Sequence, residues 1–60
     1  MDQETRMARA LETAINAIDQ GVWRVDFSLT FVRQVEDGTV DDETLNSYWH
    51  GIMSDEASED

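Results

Sequence analysis

Five carboxylates fall between positions 36 and 43: Glu36, Asp37, Asp41, Asp42 and Glu43. Three chemistries use such a cluster. A calcium loop of the EF-hand type needs alternating oxygen ligands, a glycine at its sixth position and a glutamate at its twelfth. Counting from Asp37 puts Thr39 at the third position and Asp42 at the sixth, so the pattern does not fit. General acid–base work needs carboxyl groups held in a pocket that separates their acidities. These acids lie in solvated runs with no pocket-forming context around them. The third use is the charge itself, a negative face that attracts a cationic partner. Capping of a helix start accounts for Asp41 to Glu43 but leaves Glu36 and Asp37 unexplained.

The remaining reactive side chains are few. His50 is the only histidine and cysteine is absent, which removes thiolate metal sites, disulfides and redox motifs. A Ser–His–acid arrangement would rest on His50 alone, without a defined partner. No glycine-rich phosphate loop, nucleophile elbow or zinc spacing is present. The expectation is therefore a protein with no catalytic residue, no metal site and no cofactor. Trp23, Tyr48 and Trp49 are a heavy aromatic load for 60 residues. Tyr48 and Trp49 suit a core, because a very small domain needs bulky anchors. Trp23 reads as an exposed anchor for a partner, ringed by acids.

Charge is unevenly distributed. Residues 1–34 hold five acids and all four arginines, a net of −1, whereas residues 35–60 hold nine acids and no base, a net of −9. Lysine is absent. Direct binding to DNA or RNA is disfavoured, since phosphate contacts need Lys or Arg. The same argument disfavours anionic membrane surfaces. No run reaches the roughly 20 apolar residues of a membrane span. The start Met1-Asp2-Gln3-Glu4 lacks the basic and apolar segments of a signal peptide, so a cytoplasmic location is expected.

The elements that must position these residues are helical. Met7, Leu11, Ala14, Ile15 and Ile18 recur at the helical period and predict an amphipathic helix over residues 4–20, ended by Gly21. Leu45, Tyr48, Trp49, Ile52 and Met53 predict a second over 41–53, with Asp41 as N-cap and Val40 stapled to Leu45. The middle is ambiguous. Val25 to Phe31 alternates apolar and polar as a strand does, with Asp37-Gly38 as a hairpin turn, but its returning arm is poor strand material. The helical alternative starts at Ser28 as N-cap, staples Phe27 to Val32 and closes at Gly38. We expect an all-α, small three-helix domain over residues 1–53, with helix–β-hairpin–helix as the α+β alternative. Residues 54–60 read as a disordered acidic tail. Arg9 with Glu12, and Arg33 with Glu36 or Asp37, are expected surface pairs.

In size and acidity the chain resembles phage-encoded inhibitors of bacterial defence, anti-CRISPR proteins among them. The resemblance covers general character, with no motif and no aligned position. It implies a nucleic-acid mimic that blocks the basic DNA or RNA path of a CRISPR effector or another defence complex. On the residues themselves, the partner-binding set is Glu36, Asp37, Asp41, Asp42, Glu43 and Trp23, facing a basic protein surface. Two other readings compete. One is a small dimerising helical adaptor or antitoxin-like regulator, in which the stripes of the first and third helices complete a shared core. The other is adaptation to a high-salt cytoplasm, which the balanced N-terminal half argues against. The protomer is read as a monomer or a homodimer.

Overall fold

The computed structural model describes the backbone of residues 1–57 and the side chains of residues 1–54. Three helices follow in order: α1 over Gln3–Asp19, α2 over Val25–Asp37 and α3 over Asp42–Ala57. The fold is all-α, and the helix–hairpin–helix alternative is not adopted.

Four of the helix ends are set by a local signal. The Asp2 carboxylate accepts from the Thr5 amide at 3.0 Å and opens α1. At its other end Gly21 takes φ +78°, while the Gly21 and Val22 amides donate to the Ile18 and Ala17 carbonyls. That pair of bonds is a Schellman closure, which needs the left-handed residue glycine supplies. Gly38, at φ +90°, ends α2 as expected. Asp41 caps α3 by accepting from the Thr44 amide at 2.9 Å. Val40 and Leu45 are both buried in the core, as the staple requires.

Helix α2 begins at Val25, not after Ser28. Ser28, Phe31 and Val35 form its buried face, so adding a turn before Phe31 places Ser28 against the rest of the bundle. The same turn carries Phe27 onto Trp23, and Phe27 remains about half exposed instead of stapling the helix start. The strand-like alternation lost because no second strand offers its backbone a partner. Helix α3 runs to Ala57, beyond the expected end at Met53. No Gly or Pro stops it there, and the Ser54 hydroxyl donates back to the His50 carbonyl. Residues 54–57 of the expected tail are thus helical, and 58–60 lie outside the described residues.

Helix α1 is central, with α2 and α3 both packed on it. It buries a face of small residues: Ala10, Thr13, Ala14 and Ala17. Alanines let two helices approach closely, and the buried Thr13 hydroxyl is satisfied by the Arg9 carbonyl at 2.7 Å. The sequence stripe is therefore only partly the core face. Ala14 is buried and Met7 packs at the core margin, but Leu11, Ile15 and Ile18 are exposed. The larger side chains of the core come from α2, the connecting loop and α3, as Phe31, Val35, Val40, Leu45 and Ile52. No described helix is long and apolar enough to cross a membrane.

Candidate functional site

The antiparallel arrangement brings the start of α1, the end of α2 and the start of α3 to one pole. The Met1 ammonium lies 3.3 Å from Asp42, and the Gln3 side chain donates to the Glu36 carbonyl at 3.4 Å. Asp2 and Glu4 therefore join Glu36, Asp37, Asp41, Asp42 and Glu43 there, so the pole collects seven acids from three segments.

Arg6 enters this pole and is used up inside it. Arg6 reaches Asp42 Oδ1 at 2.8 Å, and its second Nη donates to the Val35 and Val40 carbonyls at 2.8 and 2.7 Å. Its side chain is only 14% exposed. The fork geometry of a guanidinium suits this three-way clasp, which fastens α1 to the end of α2, the following loop and the start of α3. The Val35 carbonyl belongs to the last turn of α2, where a cation also offsets the negative end of the helix dipole.

Three of the acids hold local structure. Hydrogen bonds from Thr5, Thr39 and Thr44 lower the carboxyl pKa values of Asp2, Asp37 and Asp41 respectively below their ordinary value. For Asp37 the donors are the Thr39 hydroxyl at 2.8 Å and amide at 3.1 Å. Asp42 serves the Arg6 clasp and the N-terminus. Glu4, Glu36 and Glu43 remain exposed, with no side-chain hydrogen bond or ion pair among the described residues. Glu36 is the acid that stability explains least. It sits in the last turn of α2, where negative charge opposes the helix dipole, and that turn has no basic residue.

Trp23 lies elsewhere, in the turn between α1 and α2 at the opposite pole. It is half-buried, not exposed. Its ring centroid is 4.7 Å from Phe27, 5.0 Å from Phe31 and 5.7 Å from Tyr48, all edge-on. Edge-to-face contacts of this kind stabilise packing beyond area burial, so the cluster joins α2 to α3. Beside it lies a shallow recess of about 440 Å³ lined by Val22, Trp23, Arg24, Asp26 and Phe27. Asp26 is the only acid among the described residues of that lining. The fold brings the five predicted carboxylates together and leaves the sixth residue apart.

Other expected pairings rearrange. Arg9 donates to Asn46 at 2.6 Å and places its guanidinium 4.7 Å from the Trp49 ring centroid. Glu12 accepts from the Trp49 indole at 3.3 Å instead of pairing with Arg9. Trp49 is half-buried by these two contacts, and Tyr48 is more exposed than a core residue. Arg33 forms no ion pair among the described residues. His50 is exposed and packs edge-on to Trp49. Among the described residues no group of three or more His, Asp or Glu side chains is placed to hold a metal ion. The Arg6 clasp was missed because nothing in local spacing links position 6 to positions 35, 40 and 42. Comparisons of the chain with known protein families, curated proteins and solved structures give no match.

Proposed function

We propose that this is a non-catalytic cytoplasmic binding protein whose acidic pole docks on the basic surface of a nucleic-acid-binding partner and occupies the DNA or RNA path. The supporting observation is the gathering of seven acids at one end, where Arg6 is taken up by the clasp. Against these acids only Arg33, exposed one turn before Asp37, adds a free side-chain cation nearby, so the pole stays strongly negative and its field steers encounter with a cationic groove. Glu36 strengthens the reading, because its position costs helix stability and still adds to the field. The resemblance to phage-encoded inhibitors implies a CRISPR effector or another defence complex as the target.

The test uses the acids that no fold contact employs. Glu4→Lys, Glu36→Lys and Glu43→Lys combined should leave the helical circular dichroism unchanged. In paired pull-downs from bacterial lysate, wild type should capture a nucleic-acid-binding protein that the triple variant does not. Added duplex DNA should release that partner from wild type. Capture that survives both the reversal and the DNA would overturn the proposal.

A further inference from the structure

A second surface is unrelated to the acidic pole. Leu11, Ile15 and Ile18 follow one another at the helical period along α1, and Val22 continues their line into the turn. Val25 and Leu29 do the same on α2. All six are exposed, Ile15 at 64% and Leu29 at 60%. They lie on one side of the molecule. Helix α3 meets α1 through Arg9, Glu12 and Gln20, on the flank of α1 opposite Leu11 and Ile15. It meets α2 through Phe31, on the side away from Val25 and Leu29. Both stripes thus face away from α3 and form a continuous apolar strip on the α1–α2 pair.

We infer that this strip is covered by a second copy of the chain, giving an antiparallel four-helix interface with two-fold symmetry. Area is the first argument. The six side chains expose roughly 600 Å², the upper end of what a monomer leaves bare. With its polar rim this approaches the roughly 800 Å² that each partner contributes to a standard interface. Charge is the second argument, and it selects both occupant and orientation. The strip itself carries no charged side chain, so two copies meet without burying an ion. Seven acids crowd one end, whereas the turn end of the α1–α2 pair sets Asp19 and Asp26 against the exposed Arg24. An antiparallel pairing lays each acidic pole beside the partner's less acidic turn end and keeps the two poles apart. A parallel pairing would put them side by side. A hydrocarbon strip also suits a second copy better than a basic groove, whose cations it would desolvate. The interface uses the first and second helices, not the first and third that the sequence suggested.

The inference does not rest on the acidic-pole proposal, and salt separates the two. Raising salt should tighten self-association by screening the like charge, while it weakens docking on a basic surface. Sedimentation from about 1 µM to about 1 mM should show a species of twice the protomer mass of 6.9 kDa. Ile15→Asp and Leu29→Asp should each weaken it by about 100-fold or more, since each change enters the interface twice. Ser47→Asp, on exposed α3, should leave it unchanged. Isotope-filtered NMR on a mixture of labelled and unlabelled wild type needs no variant, and should show methyl contacts between Ile15 of one copy and the α1–α2 strip of the other. A wild type that stays monomeric at about 1 mM would overturn the inference. So would a dimer that survives both substitutions, or intermolecular contacts that map to α3.

Discussion

Replacing Arg6 by methionine tests how the three helices are fastened. The substitution keeps the length of the stem and removes three hydrogen bonds, to Asp42 at 2.8 Å and to the Val35 and Val40 carbonyls at 2.8 and 2.7 Å. The carboxylate contributes the smaller part, because Asp42 is 42% exposed and its attraction is screened by water. The two carbonyls matter more, as both belong to buried core residues. A hydrogen bond to a charged group contributes about 1.5 kcal/mol or more, so their loss with the discounted ion pair comes to about 3 kcal/mol. A domain of this size has a total stability of about 3–9 kcal/mol. In urea, with m of about 1 kcal/mol/M, the midpoint should fall by about 3 M. The assay is helical circular dichroism across a urea series at fixed protein concentration, with Arg33→Met as the solvated control. Arg6→Lys, which keeps the charge but not the fork, should fall between them, and Asp42→Asn should cost less than Arg6→Met. An Arg6→Met loss below about 0.5 kcal/mol, or no larger than that of Arg33→Met, would refute the clasp.

Other outcomes follow from single contacts. Ser28→Ala should raise stability by about 0.5 kcal/mol, because its buried hydroxyl has no hydrogen-bond partner and alanine is the better helix former; thermal melts showing a loss would mean that the hydroxyl is bonded. Leu45→Ala should cost about 2–5 kcal/mol in the same urea assay, since Leu45 is fully buried in the core cluster. The carboxyls of Asp2, Asp37 and Asp41 are depressed in the folded state relative to an ordinary value of 3.8. Their contribution is therefore present above that value and lost as pH falls through the lower folded values. NMR titration of the three carboxyl carbons should place their midpoints below the ordinary aspartate value of 3.8, and midpoints in the usual carboxylate range would contradict the capping assignments.

Much of the architecture was legible because it is written in local chemistry. Gly21, Gly38 and Asp41 act within a turn of where they stand, and the Val40–Leu45 staple spans a single helix start. Two features were not legible. On α1 the alanine face and the Leu11–Ile15–Ile18 stripe lie beside one another at the same period, and periodicity alone does not say which one a neighbour covers. Packing against both α2 and α3 chose the small residues and left the larger ones outside. On α2 the alternation from Val25 to Phe31 matched a strand, and only the tertiary contacts of Ser28 and Phe27 show that the helix starts a turn earlier. For the candidate site, the run from Glu36 to Glu43 was visible as charge. The addition of Asp2 and Glu4, the burial of Arg6 and the separation of Trp23 depend on contacts between residues distant in sequence.

The acidic-pole account is tested most directly by the salt dependence of affinity for the captured partner, measured for wild type and for Glu36→Lys. The account predicts a steep fall in affinity with rising salt for wild type, and a weaker, flatter dependence once Glu36 is reversed. An affinity indifferent to salt, or one whose slope is the same in both proteins, would contradict it.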